Sequence, residues 1–269
     1  MLMRILAAVV LLPLLLVLLL VLPQIYTVIV CGVVGVIAAY ELLWRTGLVK
    51  NVRMVCYAGL TAFGMAFWCY WGMEYRWALL GVLLLFCALM AEVLVSRGKL
   101  PFAQAAYTLA GGLLIPFLLT SLLRLFLMEQ GRILILIPLV IAFVSDSCAY
   151  FVGCAIGKHK LAPAISPKKS VEGAVGGVLG AVLGMELFCL VLQLAFRMEP
   201  DYVTALVFGL LGAVAGIFGD LCFSVIKRQT SIKDYGNLIP GHGGILDRID
   251  SLLIVGPMVE VLMLLLPVL

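Results

Sequence analysis

The sequence predicts an all-α fold, a polytopic transmembrane helical bundle of about nine helices, and three observations carry that expectation. Apolar residues make up 65% of the 269 positions and charged residues 12%, whereas soluble domains run near 45–50% apolar. The mean hydropathy is +1.23. The apolar residues also gather in runs of about 20, the length a helix needs to cross a hydrocarbon layer about 30 Å thick. Backbone groups in lipid must be satisfied within the segment, which leaves helices or closed barrels. The alternation of a barrel strand is missing.

In chain order the runs are 5–23, 25–44, 54–72, 77–95, 103–122, 133–153, 174–196, 202–222 and 252–269. The first follows Arg4 and has the look of a signal peptide. Its apolar core exceeds the usual 7–15 residues, and Leu22-Pro23-Gln24-Ile25 offers no small-residue cleavage site, so it is expected to remain as a first helix. The next four runs are nearly featureless. The seventh and eighth carry Gly173, Gly176, Gly177, Gly180 and Gly184, then Gly209, Gly212, Gly216 and Gly219. Spacings of three and four put these small residues on one helix face, which permits close packing in lipid. The eight cysteines are scattered without a Cys-x-x-Cys pair and read as small buried hydrophobes.

Texture divides the chain into amino-terminal transmembrane helices over 1–130 and a catalytic transmembrane region over 131–269, with cytoplasmic polar loops at 154–171 and 223–251. No matching broken helices appear in the two halves, which counts against an inverted-repeat transporter. Lys and Arg in short loops mark the cytoplasmic side. Arg4, the loops after the second, fourth and sixth runs, and the residues following the eighth hold 14 of the 18 positive residues; Arg76, Arg124, Arg132 and Arg197 fall on the other side. Both large polar loops are therefore expected at the cytoplasmic face of the membrane. A net charge of +4, concentrated there, favours anionic headgroups or a phosphorylated substrate, and nucleic acid is not an expected partner.

Residues 224–250 concentrate chemistry in an otherwise apolar chain: seven of its 32 charged residues lie there, with His242 in a Pro-Gly-His-Gly-Gly turn. Asp220, Ser224 and Lys227 fall at i, i+4 and i+7 on one helix face. Such a column suits a magnesium ion beside a phosphate, because magnesium takes one or two carboxylates plus phosphate oxygens. Gly241, Gly243 and Gly244 let backbone N–H groups approach an anion, and Asp247, Arg248 and Asp250 follow. Upstream, Asp146 precedes a second polar stretch that ends in Ser166-Pro167-Lys168-Lys169-Ser170 directly before a helix, an anion-binding helix start with added lysines. Walker A spacing is missing. His159 reads as a solvated loop histidine. Glu41, Glu92, Glu186 and Glu260 lie inside apolar runs with no motif around them.

At this point the residues resemble the phosphatidate cytidylyltransferases (CDP-diacylglycerol synthases). Ser224, Lys227, Arg228, Lys233, Asp234, Gly236, Pro240, His242, Gly243, Gly244, Asp247, Arg248 and Asp250 meet every fixed position of that family's signature. The Asp146–Tyr150 and Ser166–Gly173 elements are also similar, with Ser170 where threonine is commoner. The resemblance covers 145–250. It implies transfer of CMP from CTP to phosphatidic acid, giving CDP-diacylglycerol and pyrophosphate at a divided nucleotide and metal site. It implies Mg2+ on Asp220 and Asp247 with support from Asp146, and a second, monovalent cation such as K+. Lys227 and Arg248 join the catalytic set; Ser166, Lys169, Ser224, Arg228, Lys233, His242, Gly243 and Gly244 hold substrate or shape its turn. A homodimer is a family-level expectation. Two other classes fit less well: a CTP-dependent polyprenol or phytol kinase that moves the γ-phosphate, and a transporter using the intramembrane carboxylates. An alcohol phosphotransferase is disfavoured because its Asp-Gly-x2-Ala-Arg pattern is missing.

Overall fold

The computed structural model describes residues 12–238 and 243–268. Helix α1 covers 12–20 within these bounds. It is followed by α2 (Gln24–Tyr40), α3 (Val52–Trp71), α4 (Tyr75–Val95), α5 (Phe102–Leu109), α6 (Ile115–Leu119), α7 (Ser121–Leu127), α8 (Gly131–Leu134) and α9 (Leu136–Ile156). Strands β1 (Lys160–Ala162) and β2 (Ser166–Ser170) come next, then α10 (Val171–Phe196), α11 (Tyr202–Gln229), α12 (Leu246–Ile249) and α13 (Leu252–Leu265). Two π-helical turns interrupt the series, Glu41–Arg45 at the end of α2 and Ala110–Leu114 between α5 and α6.

The chain forms two compact units: Met1–Leu127 with Gln229–Ile249, and Met128–Arg228 with Asp250–Leu269. The first is built on α2 and α3. Ala39, Leu43, Met54, Ala58, Leu85, Leu89 and Ala105 pack in one of its core clusters, and Val28, Ala66 and Leu123 in another. Small residues allow this closeness: a Cβ on Gly112 would stand 2.8 Å from the Ala58 Cα. The Thr61 hydroxyl donates to the Gly112 carbonyl at 2.9 Å, supplying a partner where the π turn departs from regular pairing. Asn51 caps α3 by accepting from the Arg53 N–H at 3.0 Å, and Gly72 ends it in the left-handed region at φ 58°.

The second unit rests on α9 against α10. The glycine stripe foreseen on α10 is the contact face: Gly176 meets Val152, Gly177 meets Ser145 and Ala149, and Gly184 meets Val144. On α11, Gly209 lies against the backbone of Val182, where a Cβ would come within 2.7 Å of its Cα. Gly212 meets Ile141, and Gly216 meets Val255 on α13.

The helical membrane bundle expected from composition is the fold observed. Seven helices among the described residues are long and apolar enough to cross a membrane: Gln24–Arg45, Val52–Trp71, Tyr75–Val95, Phe102–Leu127, Gly131–Ile156, Val171–Phe196 and Tyr202–Gln229. The first expected helix, 5–23, falls partly outside the described residues. The last, expected over 252–269, is a 14-residue helix about 21 Å long at 1.5 Å per residue, short of a full crossing. Pro267 lies just past its end, where proline cannot continue a helix.

The 154–171 segment differs from the loop expected there. Helix α9 runs on to Ile156, and β1 and β2 pair antiparallel, Lys160 opposite Ser170 and Ala162 opposite Ser166. The strands are three and five residues long, too short to leave a pattern in the sequence. Their order comes from the helix they lead into: the Ser170 hydroxyl caps α10, accepting from the Gly173 N–H at 3.1 Å.

Gly209→Val is expected to destabilise the protein by roughly 1–3 kcal/mol, because the added carbons meet backbone that cannot yield. Gly64→Ala, in a helix interior with nothing within 4 Å of an added Cβ, is expected to be neutral or stabilising by a few tenths of a kcal/mol. Thermal unfolding of both variants in detergent checks the pair.

Candidate active site

In the second unit, α11 presents the column read from the sequence. Asp220, Ser224 and Lys227 lie on successive turns, and the Ser224 hydroxyl donates to Asp220 Oδ1 at 3.2 Å. Lys169, from β2, places its Nζ 2.5 Å from Asp220 Oδ2, with both side chains about a quarter exposed. Within the strand Lys168 is exposed while Lys169 is half-buried. Arg228 anchors the other side of the hairpin, its Nε donating to the Ile165 carbonyl at 3.0 Å. The two polar elements at Ser166–Gly173 and Asp220–Arg228 are therefore in direct contact.

Asp250 completes this cluster. Its Oδ2 lies 3.9 Å from Lys227 Nζ, a long contact between two nearly buried groups, and Oδ1 accepts from the Ser251 N–H at 2.9 Å. Burial, then the negative charge of Asp220, pushes the Asp250 carboxyl up to about 7; Lys227 opposes this, and Asp146 adds to it from α9. Asp250 thus lies in the field of two further carboxylates, partly offset by Lys227. Among the described residues no group of three or more His, Cys, Asp or Glu side chains is arranged to hold a metal by protein ligands alone. The donor set still fits magnesium, which needs only one or two carboxylates when substrate phosphates supply the remaining oxygens.

His159 and Glu172 close the start of α10. Glu172 accepts from the N–H groups of Lys158 and His159 at 3.1 and 3.2 Å, and His159 Nδ1 lies 2.6 Å from Glu172 Oε1. The histidine expected to be a solvated loop residue is exposed but paired.

In the first unit, Asp247 is buried on α12, and its Oδ2 accepts from the N–H groups of Tyr235 and Gly244 at 2.8 and 3.0 Å. Gly243 adopts φ +83°, the left-handed backbone that glycine tolerates. Lys233 and Arg248 are exposed. His242, with Pro240 and Gly241, lies outside the described residues. Two acids without a sequence motif gain roles here. Glu92 receives the Tyr57 hydroxyl at 3.2 Å and pairs with Arg53 at 2.9 Å. Glu41, 3% exposed, accepts from the N–H groups of Ile245 at 3.1 Å and Leu246 at 2.8 Å. The only signal of Glu41 in the sequence is its place in an apolar run, where an acid needs partners.

Of the residues singled out by sequence, Asp146, Ser166, Lys169, Asp220, Ser224, Lys227, Arg228 and Asp250 belong to the second unit; Lys233, Gly243, Gly244, Asp247 and Arg248 belong to the first. A family model described as the cytidylyltransferase family matches residues 2–266. The chain belongs to the cytidylyltransferase family. It is 43% identical over 129 residues to a Bacillus subtilis (strain 168) protein named phosphatidate cytidylyltransferase, covering 48% of this chain and 46% of that one. A Staphylococcus saprophyticus protein of the same name is 32% identical over 182 residues, 65% of each chain. The uncharacterized protein YnbB of Escherichia coli (strain K12) is 28% identical over 236 residues, 80% of this chain and 77% of that one. The chain thus spans about half the length of the first named relative and just under two thirds of the second.

The Asp250 shift has a defined pH consequence. Its folded-state pKa lies above the ordinary 3.8, so the fold favours the neutral acid. The stability this gives is fully present below about 3.8 and is lost as pH rises to about 7. Metal-free protein in detergent should therefore melt lower at pH 8 than at pH 5, and Asp250→Asn should flatten that dependence.

Proposed function

We propose that this protein transfers CMP from CTP to phosphatidic acid, releasing pyrophosphate and forming CDP-diacylglycerol for phospholipid biosynthesis. The observation that carries this reading is the contact of the Ser-Pro-Lys-Lys-Ser hairpin with the Asp220–Arg228 helix end. A lysine, a carboxylate, a hydroxyl and an arginine meet there at the end of membrane-length helices, in a chain of the cytidylyltransferase family. The positive-residue distribution supports a cytoplasmic site in a bacterial-type inner membrane, where soluble CTP and an acidic headgroup meet.

In the reaction a phosphate oxygen of phosphatidic acid attacks the α-phosphorus of CTP. The new phosphorus–oxygen bond forms as the bond to the β-phosphate bridge breaks, and the electron pair leaves with pyrophosphate. A phosphate monoester is already ionised near neutral pH, so the step needs little base catalysis. It needs two polyanions aligned and their repulsion relieved. Ser166 and Lys169 hold phosphates of CTP; Lys227, Arg228, Lys233 and Arg248 offset charge on the remaining phosphates. Ser224 orients the Asp220 carboxylate, Gly243 and Gly244 shape the turn before Asp247, and His242 belongs to the same substrate-holding set through the family resemblance. Asp220 and Asp247 would hold magnesium, with Asp146 in support. When bound, magnesium supplies charge neutralisation on the triphosphate and polarises the α-phosphorus. A monovalent cation such as potassium and a homodimeric assembly belong to the same reading, through the family resemblance.

Purified protein given CTP labelled in the cytidine, phosphatidic acid and magnesium should yield a solvent-extractable labelled lipid that requires all three. Failure to form it with any divalent cation overturns the reading. Asp220→Ala and Asp247→Ala should each lower turnover by about 10²-fold or more, with melting temperatures close to the parent.

A further inference from the structure

The buried carboxylate of Glu41 has no part in the transfer chemistry, yet it occupies the centre of the signature turn. It projects from the π-helical turn at the end of α2 and takes the N–H groups of Ile245 and Leu246, one on each carboxylate oxygen. The preceding N–H, that of Gly244, goes to Asp247, as does that of Tyr235. Three successive amides are thereby divided between two acids, and Asp247 lies one residue beyond the last of them.

The fit is tight on both sides. A Cβ on Gly244 would stand 2.5 Å from both Glu41 oxygens, and one on Gly236 would collide with Oε1. The two glycine backbones pass close to each other, a Cβ on Gly236 coming within 3.2 Å of the Gly244 Cα. Glycine at both positions is therefore what admits the carboxylate between the two passes of the loop. Removing the acid would strand two amides in a site from which water is nearly excluded, and the turn would rearrange to satisfy them.

We propose that Glu41 is a positioning residue that fixes the 243–247 turn and thereby sets the Asp247 carboxylate for magnesium. The proposal rests on the reading of Asp247 as a magnesium carboxylate. Glu41 touches neither metal nor substrate in this role. Outer partners of this kind commonly change metal affinity by about 10–100-fold when lost. Glutamine is the sharpest replacement, because its amide keeps one acceptor and turns an N–H2 donor toward a backbone donor.

The test measures Mn2+ binding to purified full-length protein, from the electron paramagnetic resonance signal of the free ion, beside the magnesium dependence of turnover. Glu41→Gln should raise the Mn2+ dissociation constant and the magnesium half-saturation about tenfold, leaving KM for phosphatidic acid near the parent value. Gly244→Ala, which crowds the same carboxylate while Glu41 stays intact, should shift both in the same direction and serves if Glu41→Gln fails to fold. A lower melting temperature with unchanged Mn2+ affinity in these variants overturns the proposal, since that is what a purely structural contact would give. If Asp247→Asn leaves Mn2+ affinity unchanged, the reading of Asp247 fails and the proposal falls with it. Loss of Mn2+ affinity in Asp247→Asn with none in Glu41→Gln isolates the failure to Glu41.

Discussion

A carboxylate withdrawn from water must be met by cations or by N–H and O–H donors, and in a chain this apolar such partners are scarce. That scarcity organises the polar regions of both units. Asp220 is met by Lys169 and Ser224, Asp247 by two main-chain amides, Glu41 by two more, and Glu92 by Arg53 and Tyr57. Apart from the Ser224–Asp220 bond, which lies within α11, each of these contacts joins segments remote in sequence or fixes a turn that has no regular structure of its own. Asp250 is met less closely: Ser251 donates one N–H and Lys227 Nζ stands 3.9 Å away. Burial, then the charge of Asp220, raises its pKa to about 7.

The glycine stripes serve the same arrangement from the apolar side. On α10 they bring the helix against α9, and on α11 they admit Val182, Ile141 and Val255. Close helices leave little freedom at their ends. The hairpin emerging from α9 and entering α10 is therefore held where Lys169 reaches Asp220 and the Ile165 carbonyl reaches Arg228.

Fold class was legible because hydropathy is a property of whole segments, and membrane-length helices α3, α4 and α10 lie close to where apolar runs placed them. Ends were less legible: helix α13 is shorter than its apolar run, and α9 and α11 outlast the boundaries set for them. The Asp220, Ser224, Lys227 column followed from helical periodicity alone. The Lys169 partnership did not, because it depends on a hairpin whose strands are only three and five residues long. Glu41 was hidden for a different reason. An isolated acid in an apolar run announces a need for partners but not their address, and its partners are backbone amides, which carry no sequence signature.

Charge relief and alignment, more than acid–base chemistry, define what this arrangement offers a reaction. Its cations and carboxylates suit joining one phosphate ester to another, and the decisive question is which phosphorus of the nucleotide is transferred. Incubation with phosphatidic acid, magnesium and CTP carrying one isotope at the α-phosphorus and another at the γ-phosphorus answers it. The account predicts α-label in the lipid product and γ-label in pyrophosphate. Appearance of the γ-label in lipid, with the α-label left in CDP, would contradict it.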